Sequence, residues 1–132
     1  QLLDALAESG RTVLLETNGS LGLPGKRRYH VIMDMKCPAS GEAAAFYEPN
    51  IGRLTGRDEL KFVVSSRDDF DWACQQIERH GLAGRGFPLL FAPAYGACKP
   101  AELAEWVLAS GLPLRMQVQL HKVIWPHAKR GV

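Results

Sequence analysis

The sequence has 132 residues, of which 46% are hydrophobic and 23% are charged, with a formal net charge of +2. These proportions are ordinary for one soluble globular domain, so we expect a single domain over residues 1–132, and the small net charge argues against a nucleic-acid partner. No apolar run approaches the roughly 18 residues that cross a bilayer, which argues against a membrane protein.

Hydrophobic spacing predicts a helix near the start of the chain, ended by Gly10, followed by strands and helices in alternation. The predicted strands are Thr12–Glu16, Tyr29–Lys36, Glu59–Ser65, Pro88–Ala92 and Leu114–Leu120. The predicted helices are Arg67–His80, capped by Ser66, and Pro100–Ser110, ended by Gly111. Strands separated by helices favour parallel crossovers, so the sequence predicts an α/β fold with mostly parallel strands.

Three of the predicted strands alternate between apolar and polar side chains. In Glu59–Ser65, for example, Leu60, Phe62 and Val64 point one way, and the opposite face carries Glu59, Lys61, Val63 and Ser65. A polar face of this kind looks either at solvent or into a wet ligand cavity, and the helical crossovers favour the cavity. Its lining would mix acids and bases from several strands: Glu16, Asp34, Glu59, Lys36, Lys61, Arg115 and His121. Such mixed charge suits a zwitterionic ligand, although the groups could also pair with one another.

Ligands of parallel α/β folds bind beyond the carboxyl ends of the strands. At those ends, Gly19 would allow close approach to a ligand or serve as an ordinary turn glycine. Lys36 would hold an anionic group or lie on the surface. His121 would clamp a substrate or make a structural hydrogen bond. Two loops connect the early strands, and the second, Cys37–Arg57, has a length typical of functional loops.

The three cysteines, Cys37, Cys74 and Cys98, show no CxxC spacing. An odd, scattered set argues against a disulfide framework and predicts a reducing compartment, the cytoplasm. An iron–sulfur cluster needs several closely placed thiolates, so we expect this chain not to hold one by itself.

Several stretches at the predicted strand ends carry a family resemblance. They are Glu16-Thr17-Asn18-Gly19, Asp34-Met35-Lys36-Cys37-Pro38 with Ser40-Gly41, Asp58-Glu59-Leu60-Lys61-Phe62-Val63, Gln119-Leu120-His121-Lys122-Val123-Ile124-Trp125, and a final Gly131-Val132. Together they resemble the 7-carboxy-7-deazaguanine synthase family of radical S-adenosylmethionine enzymes. The resemblance implies a partial (β/α) barrel of six strands, to which this chain would contribute the later strands.

The resemblance also implies the chemistry of a complete enzyme. S-adenosylmethionine would be cleaved reductively at a 4Fe-4S cluster, and the resulting radical would abstract hydrogen from the pterin 6-carboxytetrahydropterin. A Mg²⁺-assisted ring contraction would then give a product used for deazapurines, including queuosine in tRNA. The cluster loop and the magnesium ligands would precede Gln1, so we expect the chain alone to be inactive and to contribute neither metal ligands nor catalytic residues.

By position in the family pattern, eight residues would contact S-adenosylmethionine: Gly19, Asp34, Met35, Lys36, Ala92, Pro93, Ala94 and Tyr95. The last four depart from the pattern in side-chain type, so their contacts would come from the backbone. Thr17 and His121 would contact the pterin, and so would the terminal carboxylate of Val132. These assignments require residues 16–19, 34–36, 92–95 and 121 to meet at one rim.

Two alternatives stay open from the sequence. One is another radical S-adenosylmethionine activity, an activase that acts on a partner protein. The other is a non-catalytic module that binds RNA through Lys26–Arg28 and Lys129-Arg130. An unpaired strand edge would also favour pairing with a second copy, giving a homodimer.

Overall fold

The computed structural model describes residues 2–125. Its strands are β1 (Leu14–Thr17), β2 (His30–Asp34), β3 (Glu59–Val64), β4 (Leu89–Pro93) and β5 (Leu114–Met116). Its α-helices are α1 (Leu2–Glu8), α2 (Arg67–Arg79), α3 (Pro100–Ser110) and α4 (Leu120–Ile124). None of the helices in this part of the chain is long and apolar enough to cross a membrane.

The five strands form one sheet in the order β1-β2-β3-β4-β5, and every neighbouring pair is parallel. The predicted α/β fold is therefore confirmed, with α2 and α3 as the crossovers around β4. Parallel strands that neighbour one another in chain order also occur in (β/α) barrels, so the topology is compatible with the predicted partial barrel. Between β2 and β3, residues 35–58 instead contain three short 3-10 helices, Pro38–Ser40, Ala43–Ala45 and Glu48–Arg53.

One face of the sheet packs on the helices and forms the core. Burial alternates along β2 and β3 as the sequence predicts, with Leu60, Phe62 and Val64 buried. The Phe62 and Phe91 rings lie 5.1 Å apart between centroids, and Phe70 of α2 lies 5.3 Å from Phe91. These contacts fix the sheet against α2 and leave the polar face on the opposite side.

Local signals set the ends of α2 and α3. The Ser66 side chain accepts a hydrogen bond from Asp69 N at 3.2 Å, which confirms the predicted N-cap of α2. Pro100 begins α3, and Gly111 follows its last residue with φ +65°. Both helices therefore begin where the sequence predicts them.

The last strand begins at Leu114 as predicted, but its predicted end was wrong. β5 ends at Met116 instead of Leu120, and the apolar alternation that continued to Leu120 belongs instead to a loop and the start of α4. The last ladder bond runs from Gln117 N to Phe91 O at 2.9 Å, and the next would need an N–H on Pro93, which proline lacks. His121 consequently lies in α4 and not at a strand end.

A buried ion pair ties the loops to the sheet beside β2 and β3. Asp58 pairs with the Arg27 guanidinium, and both side chains are almost fully buried. The same carboxylate accepts hydrogen bonds from Val31 N at 2.9 Å and from both the main-chain N (2.7 Å) and the hydroxyl (2.8 Å) of Thr55. Asp58 therefore organises the chain just before β3 and fixes β2 beside it.

Candidate functional site

The carboxyl ends of the strands lie along one edge of the sheet. Thr17 pairs in register with Met33, Asp34 with Lys61, and Val64 with Pro93. Because all five strands are parallel, the residues that follow β1, β2 and β4 emerge at this same edge. The structure thus brings the predicted segments 16–19, 34–36 and 92–95 to one edge; binding of a ligand there stays a prediction.

Asp34 lies between two lysines at this edge. Its Oδ2 accepts a hydrogen bond from Lys36 Nζ at 2.9 Å, and its Oδ1 lies 3.9 Å from Lys61 Nζ. Oδ1 is buried, yet within residues 2–125 no group donates a hydrogen bond to it. A carboxylate oxygen with unused accepting capacity beside two ammonium groups fits an amino-acid zwitterion, whose ammonium would reach Asp34 and whose carboxylate would reach the lysines.

β2 ends at Asp34, two residues before the predicted end, and Met35 directly after it lies on the core face of the sheet. Its side chain is 3% exposed and belongs to the core, and its main-chain N donates to Lys61 O at 2.8 Å. Of the predicted segment 34–36, only Asp34 and Lys36 therefore present side chains on the polar face. Met35 could reach a ligand at the edge only through its main chain.

The turn after β1 is tightly packed. Gly19 has φ +68°, and its N–H donates to Thr17 Oγ1 at 3.2 Å. A Cβ on Gly19 would lie 2.7 Å from Phe46 Cε2 and 3.1 Å from Met33 Sδ. Glycine is thus required both by the left-handed backbone and by the close approach of the Phe46 ring, and a contact between Gly19 and a ligand stays a prediction.

The segment after β4 forms a second compact turn. Ala92 and Pro93 are buried, Ala94 is half-buried, and Tyr95 is 60% exposed. Ala94 N donates to Val64 O at 2.8 Å, and Ala94 O accepts from Ala97 N and Cys98 N, both at 3.1 Å. Since the first two side chains are buried, contacts from this segment would come mainly from the main chain and from Tyr95.

Helix α4 packs beside that turn. Lys122 Nζ lies 4.5 Å from the centre of the Tyr95 ring, within the range of a cation–π contact. A cavity of about 480 Å³ opens between α4 and the start of α3, and Pro93, Tyr95, Lys99, Gln119 and Lys122 contribute to its lining. His121 is exposed beside this region, and Val132 lies outside the described residues.

The cysteines of this chain do not suit a metal cluster. Cys37 and Cys98 are buried and Cys74 is partly buried, and burial raises the pKa of the Cys37 thiol to about 12. Residues 2–125 contain no group of three or more histidine, cysteine or acidic side chains arranged to hold a metal. The cysteines of the described residues are therefore not arranged to hold an iron–sulfur cluster.

Sequence reasoning missed the residue that connects the two loops. Asn50 lies in the Cys37–Arg57 loop, is fully buried, and bonds to main-chain groups after β1. No local pattern marks an asparagine as buried inside a polar loop, because only the tertiary contact decides it. The long loop itself was the one available signal.

Comparison with known proteins agrees with the sequence resemblance. Two proteins named 7-carboxy-7-deazaguanine synthase, from Koribacter versatilis and Chlorobaculum tepidum, are 38% and 43% identical over 98% and 99% of this chain. The chain is homologous to 7-carboxy-7-deazaguanine synthase. It spans 63% and 61% of the length of those two synthases, and 62% of the Clostridium acetobutylicum synthase, which is 32% identical. No protein-family model and no solved structure matches the chain.

Proposed function

We propose that this chain supplies the later strands of a 7-carboxy-7-deazaguanine synthase, which converts 6-carboxytetrahydropterin to 7-carboxy-7-deazaguanine for queuosine and other deazapurines. Homology along nearly the whole chain supports the family. The structural observation that carries the proposal is Asp34 Oδ1, which accepts no hydrogen bond within residues 2–125. It lies 3.9 Å from Lys61 Nζ at the carboxyl ends of the strands, where ligands of parallel α/β folds bind.

Within that proposal, the charged groups would hold the amino-acid end of S-adenosylmethionine. Asp34 accepts from its ammonium, while Lys36 and Lys61 attract its carboxylate. Gly19 and the main chain of residues 92–95 would contact the rest of the molecule. When bound, S-adenosylmethionine would supply the radical by reductive cleavage at a 4Fe-4S cluster, for which residues 2–125 offer no group of ligands.

The pterin would lie against the same edge. Thr17 at the end of β1 and His121 in α4 are the side chains we assign to it, together with the terminal carboxylate of Val132. Hydrogen-bonding groups on several elements would orient the pterin for hydrogen abstraction. The magnesium ion of the ring contraction would be held by residues outside this chain.

The full-length protein encoded by the gene is used to test the proposed reaction. After reconstitution with iron, sulfide and a reductant, we expect 7-carboxy-7-deazaguanine to form from the pterin and S-adenosylmethionine, measured by mass spectrometry. Cleavage of S-adenosylmethionine without this product, together with radical formation on a partner protein, would instead identify an activase.

The chain by itself tests where the cluster is held. Residues 1–132, given iron, sulfide, reductant and both substrates, should form no 7-carboxy-7-deazaguanine, because the described cysteines are buried and scattered. Product from this chain alone would show that it needs no other segment.

A further inference from the structure

Asn50 connects the two loops beneath the candidate site. Its side chain is fully buried, and its Nδ2 donates to Gly19 O at 3.0 Å and to Leu21 O at 2.9 Å. Its Oδ1 accepts from Leu23 N at 2.8 Å. One amide side chain thus satisfies three main-chain groups of the segment that follows β1, a segment with no helix or strand of its own before β2.

The residues just before Asn50 hold the same glycine. Tyr47 N donates a second hydrogen bond to Gly19 O at 2.9 Å, and the Phe46 ring packs where a Cβ of Gly19 would be. The Gly19 carbonyl therefore accepts hydrogen bonds from Asn50 and Tyr47, and its α-carbon packs against the Phe46 ring. All of these contacts come from residues 46–50 of the β2–β3 connection.

These contacts determine the orientation of the turn after β1. A glycine with positive φ has wide backbone freedom, so its peptide groups keep one orientation only where other contacts impose it. Thr17 Oγ1 accepts from the Gly19 N–H, so the orientation of Gly19 also sets that of the Thr17 hydroxyl. We propose that Asn50 is a positioning residue, which fixes Gly19 and Thr17 for S-adenosylmethionine and the pterin without touching either.

This inference rests on the proposed function, and Asn50→Asp is its main test. The variant keeps the shape of the side chain but places an oxygen against two carbonyl oxygens, so both donated hydrogen bonds are lost. Gln75→Glu makes the same chemical change on the exposed side of α2 and is the matched control. Both variants are made in the protein as its gene encodes it.

The first measurement is amide hydrogen exchange without ligand. For Asn50→Asp we expect exchange at residues 19–23 to accelerate at least tenfold, while amides of β3 and β4 keep their wild-type rates. Unchanged exchange at 19–23, or equal acceleration throughout the sheet, would overturn the positioning role. Gln75→Glu should leave both regions unchanged.

The second measurement separates positioning from simple loss of folded protein. For Asn50→Asp we expect the Kd for S-adenosylmethionine, by calorimetry, to rise at least tenfold, and more S-adenosylmethionine to be cleaved per product formed. The inference would be overturned if the variant kept both the wild-type Kd and the wild-type ratio of S-adenosylmethionine cleaved to product formed. If the wild type binds S-adenosylmethionine but forms no 7-carboxy-7-deazaguanine, the proposed reaction fails while the Kd comparison still decides the role of Asn50.

Tyr47→Pro provides a second variant in case Asn50→Asp folds poorly. It removes the other donor to Gly19 O while keeping Asn50, and φ −85° at Tyr47 and ψ 125° at Phe46 both suit proline. We expect the same local acceleration of exchange and a weaker rise in Kd, since one donor remains. Wild-type exchange and Kd in this variant would contradict the proposal.

Discussion

Asp58 is the clearest single residue on which the stability of the sheet depends. Its carboxylate pairs with buried Arg27 and accepts from Val31 and Thr55. Removing one partner of a buried ion pair leaves the other charge unpaired, so Asp58→Ala should lower the free energy of unfolding by about 3–5 kcal/mol. Urea unfolding measures this, with exposed Glu105→Ala as the control. A loss no larger than that of the control would contradict the role given to Asp58.

The buried thiol of Cys37 should make the stability of the fold depend on pH. Burial, and then the nearby Asp69 carboxylate, raises the pKa of its thiol from 9.0 to about 12 in the folded chain. Above pH 9 the unfolded thiol loses its proton first, so the stability from this group is complete below pH 9 and is lost between pH 9 and 12, at up to about 1.4 kcal/mol per pH unit.

Urea unfolding from pH 8 to 11 tests this dependence on Cys37. The free energy of unfolding should fall less steeply with pH in Cys37→Ala than in the wild type. Some decline should remain in both proteins, because Cys74 and Cys98 also have raised pKa values. Equal slopes would show that Cys37 contributes nothing to the alkaline loss.

At the scale of elements, helix ends are set locally and could be predicted from the sequence. Ser66 caps α2, and Ser66→Ala should reduce the free energy of unfolding by about 1 kcal/mol, measured with urea. Ser65→Ala, one residue earlier, is the control because it does not cap the helix. A smaller effect of Ser66→Ala than of Ser65→Ala would argue against the cap.

Other elements depend on tertiary contacts that no local pattern contains. Val118 and Leu120 continue the alternation of β5, but Pro93 on the neighbouring β4 has no N–H to continue the ladder, so the strand stops. Likewise, the packing of Phe46 on Gly19 and the burial of Asn50 arise between segments about 30 residues apart. Sequence periodicity reports one segment at a time and cannot show such contacts.

At the scale of the whole molecule, the parallel direction of the strands made the position of the candidate site predictable. Once the strands were predicted to be parallel, segments 16–19, 34–36 and 92–95 had to emerge at one edge, and they do. The separation of Asp34 from Met35 across the sheet follows from the same alternation. His121 was misplaced because its position depended on the length of β5.

The sheet edges predict self-association of the chain. In the described residues β1 and β5 are the outer strands of the sheet, each with a neighbour on one side only. The free backbone groups of such an outer strand pair readily with another strand. Light scattering of residues 1–132 should therefore show a mass above 14.6 kDa at micromolar concentration. A strictly monomeric species would contradict this expectation.

Binding of S-adenosylmethionine to Asp34, Lys36 and Lys61 is the most direct test of the candidate site. Calorimetric titration of the protein as its gene encodes it should give a Kd at least tenfold higher for Asp34→Asn than for Asp68→Asn, which removes the same charge from the exposed start of α2. That ratio corresponds to about 1.4 kcal/mol lost with the ammonium contact. Equal Kd values in the two variants would contradict the assignment of Asp34 to the ligand.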